Sequence, residues 1–197
     1  PSTLIDTITS KLTDWNPYDH NASSPYFDPE WMFNVTNGFD VVIGNPPYIS
    51  IELYAKTEMQ EKWKRLYSTF SSRGDVYCLF YERGLALLRK SGVLALISSN
   101  KFQKAGYGKG LRQLLISNRI LLLMDFCELP VFEAATDPMI AILSKETPFA
   151  EHRFPVVIIK DEGEFETLHQ SLASQGNIYR PDQLKADVWS LHGDVVM

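Results

Sequence analysis

The feature that most constrains the fold is a short apolar run that ends in glycine and is followed by two helical segments and a second apolar run. The first run, Phe39-Asp40-Val41-Val42-Ile43-Gly44, has the nearly continuous hydrophobicity of a strand buried on both faces of a sheet. Residues 53–67 and 75–90 have helical spacing, and the run at 93–98 predicts a second strand. Strand, helix and strand form a βαβ unit, so we expect the two strands to be parallel.

The chain continues in the same α/β manner as far as residue 160. A helix fits residues 109–118, and strands fit 120–126, 137–144 and 154–160. No helix fits between the strands at 120–126 and 137–144, so we expect these two strands to be antiparallel neighbours.

The composition changes along the chain and predicts three regions. Residues 1–38 form a lead-in segment that starts with a short helical pattern and then resembles a loop pinned to a surface, because a disordered linker rarely holds so many aromatic side chains. These are Trp15, Tyr18, Tyr26, Phe27, Trp31 and Phe33. Residues 39–160 hold the α/β domain, and the more polar residues 161–197 are expected to be a linker toward a further domain.

Charge and composition exclude several classes of protein. The 197 residues carry 19 Lys and Arg against 24 Asp and Glu, a net charge of −5, and such a chain is not expected to bind nucleic acid without a partner. Its apolar runs are far shorter than the roughly 20 residues of a membrane span, and it opens with no signal peptide. The four histidines and two cysteines lack metal-ligand spacing. We therefore expect a cytoplasmic protein with no membrane association and no metal site.

The tetrapeptide Asn45-Pro46-Pro47-Tyr48 directly follows the first predicted strand. Ligands of open α/β sheets bind beyond the carboxyl ends of the strands. Two prolines fix φ and remove two N–H donors, which leaves a stiff turn with free carbonyls and one amide side chain. Such acceptors suit a substrate that presents an NH₂ group, and Tyr48 offers a flat face for a base.

Residues 40–49 resemble the catalytic motif of gamma-class, S-adenosylmethionine-dependent adenine-N6 DNA methyltransferases, and more narrowly the methylase portion of type IIG restriction–modification enzymes. The similarity covers about residues 25–145 and includes 27–33, 92–97 and 131–136. This resemblance implies the C-terminal half of a Rossmann-like methyltransferase sheet with an antiparallel last strand. It also implies double-stranded DNA as the partner of the whole enzyme.

The resemblance further implies roles for single residues in that motif, which includes Pro47. The Asn45 side-chain oxygen and the Pro46 carbonyl accept hydrogen bonds from the amine of an adenine rotated out of the duplex. Two acceptors favour a tetrahedral, more nucleophilic nitrogen. Tyr48 stacks on the base, and Phe132 matches the second stacking aromatic residue, with a core phenylalanine as the alternative.

A basic cluster lies just beyond the motif and includes Lys62 and Arg65. These side chains are candidates for contacts with DNA phosphates. A solvated helix face is the alternative interpretation.

The family's cofactor-binding motif, a Gly-containing turn, precedes the catalytic motif, and nothing similar is found in residues 1–38. The cofactor-binding residues are therefore unknown and expected upstream, with a DNA-recognition domain expected downstream. We expect a fragment that binds no S-adenosylmethionine and is inactive by itself. Its strand at 39–44 would lack one neighbour, so we also expect self-association through that edge.

Two other functions stay open at this point. An Asn-Pro-Pro-Tyr loop also serves protein-glutamine and RNA methyltransferases, because these enzymes methylate similar amines. A non-catalytic binding module that kept the loop is the other alternative.

Overall fold

The computed structural model describes residues 27–132, 137–161, 163, 177–184 and 187–191, which belong to two compact units divided after Gly38. In the first unit, the short helix α1 (Pro29–Phe33) begins after Asp28, whose carboxylate accepts the N–H of Trp31 at 3.0 Å. The helix predicted at the start of the chain lies outside the described residues.

The second unit is built on a six-stranded sheet with the order β1-β2-β4-β3-β5-β6. The β1–β2 and β3–β5 pairs are parallel, whereas β4 is antiparallel to both of its neighbours and β6 is antiparallel to β5. The parallel β1–β2 pair and the antiparallel β3–β4 pair are confirmed. The strands are β1 (Phe39–Gly44), β2 (Leu88–Ser99), β3 (Arg119–Asp125), β4 (Pro138–Ser144), β5 (Phe154–Ile158) and β6 (Asn177–Tyr179).

The helices of this unit are α2 (Glu58–Leu66), α3 (Tyr77–Leu87) and α4 (Lys109–Ser117). The prediction of one continuous helix over 53–67 is wrong. A 3₁₀ turn at Ile51–Tyr54 comes first, and Lys56 then adopts a left-handed φ of 63°, which interrupts the helical path before α2 begins.

The apolar spacing also predicts that Leu53, Met59, Trp63, Leu66 and Tyr67 face inward, and this prediction is partly wrong, because α2 packs against a small buried cluster only. Leu53, Met59 and Leu66 are exposed. Only Trp63 and Tyr67 of the predicted face pack against the small buried cluster of Ile51, Val76 and Leu79.

The boundary between α3 and β2 lies earlier than predicted. Helix α3 ends at Leu87 rather than near residue 90, because Leu88 is already extended and buried as the first residue of β2. The Gly74-Asp75 pair predicts Asp75 as the N-cap of this helix, and this prediction is wrong: the helix starts after Val76, and the Asp75 carboxylate accepts the Ile49 N–H at 3.1 Å and only more weakly the Tyr77 N–H at 3.4 Å.

The main core lies on one face of the sheet, where α3 and α4 cover it. It includes Tyr81 and Leu85 from α3, Leu111 and Leu115 from α4, and Leu94 from β2. A smaller buried cluster on the other face is formed by Met124, Phe126, Val157 and Ile159.

Strand β1 is buried on one face only. Val42 packs against the main core, but Val41 is 57% exposed and Ile43 is 80% exposed. The expectation that β1 is buried on both faces is therefore wrong for the described residues. Among these residues, β1 pairs with one strand, β2.

The region 161–197, expected to be a linker, contributes to the sheet and the core in its described part. Strand β6 pairs with β5, and Leu184, Trp189 and Leu191 are buried. The Trp189 ring packs edge-on against Phe102 with 5.8 Å between centroids, and its backbone N–H donates to the Gln103 carbonyl at 2.9 Å. The sequence also predicts a helix at 163–173, and this segment falls almost wholly outside the described residues.

Candidate active site

The Asn45–Tyr48 turn begins where β1 ends, at the carboxyl edge of the sheet. Gly44 is the last paired residue of β1 and lies opposite Leu96 of the parallel strand β2. Strand β3 also runs in the direction of β2, because both are antiparallel to β4. The segments that follow β1, β2 and β3 therefore emerge at one edge, where α/β sheets bind ligands.

The turn holds two oxygen acceptors, and the residue that carries the first of them, Asn45, is exposed. Asn45 and Pro47 are exposed, whereas Pro46 is buried. Among the described residues, none donates a hydrogen bond to the Asn45 side-chain oxygen or to the Pro46 carbonyl. Two oxygen acceptors are thus held on a stiff backbone and are free to bind a donor.

Tyr48 contacts two other aromatic rings. It meets Tyr77 edge-on, with 6.4 Å between centroids and an interplanar angle of 77°. The centroid of the Phe132 ring lies 6.1 Å from that of Tyr48, with an interplanar angle of 57°. The structure therefore brings together the two aromatic residues that the sequence singled out, although they are 84 positions apart in the chain.

The Tyr48 hydroxyl is buried and has no hydrogen-bond partner among the described residues. Burial, with a smaller contribution from the negative charge of Asp75, raises the pKa of Tyr48 above its usual value. The side chain is therefore neutral at physiological pH.

Asp75 also belongs to the site, although sequence reasoning assigned it only to a helix cap. Its carboxylate accepts the N–H of Ile49, the residue after Tyr48, at 3.1 Å. Burial is the largest influence on this carboxyl group and raises its pKa, while backbone hydrogen bonds and the charge of Lys101 act in the opposite direction. The Gly74-Asp75 pair is the one sequence signal at this position, and it predicts a helix start.

Asp125, fully buried at the end of β3, holds the segment that follows β2. Its carboxylate accepts hydrogen bonds from the side-chain amides of Asn100 at 3.0 Å and Gln103 at 2.7 Å, and from the N–H of Cys127 at 2.9 Å. Sequence reasoning missed this group, because a single Asp at a strand end is not a specific signal.

Arg112 of α4 also stabilises the segment that follows β2. It is buried, and its guanidinium donates to the carbonyls of Phe102 and Ala105. Gly108 lies so close to this segment that an added Cβ would be 2.1 Å from the Phe102 carbonyl oxygen. Phe102 and Gly108 are therefore tightly packed against each other, whereas Gly106 between them is exposed.

A cavity of about 560 Å³ opens at this edge of the sheet. It adjoins the Asn45–Tyr48 turn through Tyr107, whose hydroxyl lies 3.0 Å from that of Tyr77, the ring that contacts Tyr48. The cavity is lined chiefly by polar residues: Asn100, Lys101, Gln103, Lys104, Tyr107 and Asp137.

Lys62 and Arg65 lie on the exposed surface of α2. They line a shallow depression together with Glu58 and Glu61, so the surface has mixed charge. None of the hydrogen bonds, ion pairs or ring contacts found for the described residues joins them to the Asn45–Tyr48 turn. Their candidate role in phosphate binding stays a prediction.

Within the described ranges, no helix has the length and hydrophobicity needed to span a membrane. The same residues contain no group of three or more His, Cys, Asp or Glu side chains that could hold a metal ion.

Comparison with known proteins gives a match to one family and to several curated relatives. The model of the Eco57I restriction-modification methylase family matches residues 3–132. The type II methyltransferase M.BstVI of Geobacillus stearothermophilus is 36% identical over 106 residues, which are 52% of this chain and 19% of that protein. The type II restriction enzyme and methyltransferase RM.Eco57I of Escherichia coli is 32% identical over 164 residues, which are 81% of this chain and 16% of that protein. The chain thus spans less than a fifth of the length of either relative.

Solved structures share the fold at low sequence identity. The methyltransferase subunit of a type I restriction-modification system from Streptococcus thermophilus superposes with a TM-score of 0.54 and 15% identity, covering 83% of this chain and 36% of that one. The described sheet is therefore part of a methyltransferase fold.

Proposed function

The chain belongs to the Eco57I restriction-modification methylase family, and we propose that it forms part of the catalytic domain of a site-specific DNA methyltransferase of a restriction–modification system. The proposed reaction transfers a methyl group from S-adenosylmethionine to the exocyclic amine of an adenine that is rotated out of the duplex. Double-stranded DNA is the proposed substrate, and further domains of the same protein are the proposed partners.

One observation carries this proposal. The stiff turn with two free oxygen acceptors lies at the carboxyl edge of the sheet, and the ring that follows it, Tyr48, faces a second ring, Phe132. An amine attached to a flat aromatic ring matches this combination of acceptors and stacking surfaces.

The chain's own residues act on the amine. The Asn45 side-chain oxygen and the Pro46 carbonyl accept hydrogen bonds from the two N–H groups of the amine. These bonds favour a tetrahedral nitrogen whose lone pair is no longer delocalised into the ring. The acceptors need little reorganisation during the reaction, because two prolines hold the turn. The methylated amine is positively charged and acidic, so it releases its proton without a strong base.

S-adenosylmethionine, when bound, supplies a methyl group on a positively charged sulfur. We assign no described residue to the cofactor. The family's glycine-containing turn follows a strand that precedes the catalytic motif, and residues 27–38 contain no strand.

The two rings also bear on the choice among substrates. With 57° between their planes, Tyr48 and Phe132 do not form a parallel clamp in this arrangement. A base held between parallel rings needs about 6.8 Å, twice the stacking distance of about 3.4 Å in DNA, so the two rings, whose centroids are 6.1 Å apart, must turn parallel and move slightly apart to hold one. A glutamine side chain would gain little from a second ring, which favours a nucleobase.

The proposal is tested with the full-length protein, radiolabelled S-adenosylmethionine and duplex DNA. We expect labelled N6-methyladenine in the digested DNA, and Asn45→Ala should lower the transfer rate by about 10²-fold or more while DNA binding stays nearly unchanged. Asn177→Ala, an exposed asparagine in β6 at the far edge of the sheet, is the matched control. Label on cytosine would contradict the adenine assignment, and equal rates for the Asn45 variant and the wild type would remove Asn45 from the mechanism.

A further inference from the structure

Asp75 joins the exit of the catalytic turn to the start of α3. Its Oδ1 atom accepts the backbone N–H of Ile49 at 3.1 Å and, more weakly, the N–H of Tyr77 at 3.4 Å. Ile49 directly follows Tyr48, and Tyr77 is the ring on which Tyr48 rests. One carboxylate therefore holds both the backbone next to Tyr48 and the support of its ring.

Backbone hydrogen bonds on either side fix this arrangement. The N–H of Val76 donates to the Ile49 carbonyl at 2.9 Å, and the N–H of Ile51 donates to the Gly74 carbonyl at 2.9 Å. Ser50 and Asp75 form an isolated antiparallel bridge between these bonds. The Asp75 bond is the one nearest to Tyr48 in the chain, and it can be removed by a side-chain substitution.

We propose that Asp75 is a positioning residue for the catalytic turn: by accepting the Ile49 N–H, its carboxylate fixes the peptide after Tyr48 and so sets the angle at which the Tyr48 ring meets the base. This inference rests on the proposed function of the turn. It assigns Asp75 no contact with the substrate. Asp75 acts through Tyr48.

Glu82 of α3 is a suitable control carboxylate, because its hydrogen bonds do not involve the segment that carries Tyr48. Glu82 accepts the N–H groups of Ser68 at 3.1 Å and Thr69 at 2.9 Å, and the hydroxyl of each as well. Glu82 thus joins the segment after α2 to α3, and Asp75 joins the segment after Tyr48 to the start of α3. Of these two carboxylates, only Asp75 binds the segment that carries Tyr48.

The experiment compares Asp75→Ala, Asp75→Asn and Glu82→Ala in the full-length protein. Thermal unfolding, kcat and KM for DNA are measured for each variant. Hydrogen exchange of a peptide covering residues 45–50 is also measured, and this peptide is well suited because its two prolines carry no amide hydrogen. Its exchange therefore reports chiefly on Tyr48, Ile49 and Ser50.

We expect Asp75→Ala to lower kcat by about 10- to 10²-fold, as for a small misplacement of a reacting group, while KM for DNA changes less than about threefold. Asp75→Asn should recover most of the rate, because the amide oxygen can accept the same N–H. Glu82→Ala should lose thermal stability but keep kcat within about threefold of the wild type. Exchange in the 45–50 peptide should become about tenfold faster in Asp75→Ala only.

Two results would overturn the inference: a loss of kcat in Asp75→Ala no larger than in Glu82→Ala, or unchanged exchange of the 45–50 peptide in Asp75→Ala. If the wild-type protein transfers no methyl group to DNA, the proposed function fails instead. Hydrogen exchange then decides separately whether Asp75 fixes the turn.

Discussion

Tyr48 combines a ring at the centre of the candidate site with a hydroxyl that is buried and has no partner among the described residues. The ring accounts for the contacts with Tyr77 and Phe132. The hydroxyl contributes no hydrogen bond, and an unpaired buried polar group is unfavourable. These two parts of the side chain can be separated by substitution.

We predict that Tyr48→Ala in the full-length protein weakens binding of the extruded base by about 1–3 kcal/mol, the usual scale of base–aromatic stacking. Tyr48→Phe keeps the ring and removes only the unpaired hydroxyl, so its affinity and rate should stay close to the wild type. Fluorescence of 2-aminopurine at the target position measures the binding. If Tyr48→Phe weakens binding of the base as much as Tyr48→Ala does, the hydroxyl has a role that the ring does not explain.

Single residues differ in how well the sequence predicted their positions. Asn45 to Tyr48 were predictable at the strand end, because a buried strand followed by two prolines leaves few conformations. The contact of Tyr48 with Phe132 followed from family resemblance and not from spacing. The prediction for Asp75 was wrong because a carboxylate before a helix usually caps it, whereas here its shorter bond is to the distant Ile49 N–H and its bond to the helix start at Tyr77 is weaker.

At the scale of elements, the strands and their pairing directions were predicted well, but the helix at 53–67 was not. Apolar periodicity predicts which residues lie on one side of a helix, but it gives no warning that Lys56 adopts a left-handed conformation and interrupts the helix. Strand β6 was missed because a three-residue strand is too short to show alternation. Its partner β5 and the buried Trp189 hold it in place.

Helix α3 anchors the segment after α2 through Glu82, and this interaction predicts a pH dependence. Burial disfavours the charged carboxylate, but hydrogen bonds from Ser68 and Thr69 outweigh it and lower the pKa of Glu82. A carboxyl group with a lowered pKa in the folded state stabilises the fold above its unfolded pKa of about 4.3 and loses this effect as the pH falls through the folded value.

Glu82→Gln should therefore lower the melting temperature at pH 7 by about 2–4 °C, the scale of about 1 kcal/mol in a domain of this size. The difference from the wild type should begin to shrink as the pH falls below the unfolded pKa of about 4.3, and it should disappear only below the lowered pKa of the folded carboxyl group, where the wild-type side chain is also neutral. Calorimetry across this range measures it, with Glu61→Gln on the exposed surface of α2 as the control. A difference that is constant with pH would exclude the charge as its cause.

For the whole molecule, the sheet has two different ends. At one end β6 is a short strand, and at the other end β1 presents exposed Val41 and Ile43. An apolar strand with one described neighbour is a surface that proteins normally cover. The sequence predicted this edge, but it also predicted burial of both faces of β1, since continuous hydrophobicity does not tell which residues supply the cover.

We predict that the isolated 197-residue chain forms dimers or larger species at micromolar concentration, because a two-fold contact can cover the same strand in both copies. Light scattering measures this state. Ile43→Lys places a charge on the exposed face of β1 and should shift the chain toward monomers, whereas Ile178→Lys, on exposed β6, is the control. A monomeric wild-type chain would indicate another cover, such as the segment 13–38, which lies largely outside the described residues.

The position of β4 has a consequence for synthesis on the ribosome. Strands β2 and β3 emerge before β4 but are never neighbours, since β4 inserts between them and pairs with both. Until residue 144 has left the exit tunnel, the nascent chain holds two apolar strands whose facing edges have no partner. The sheet therefore closes late, and this interval is when a molecular chaperone has the most to protect.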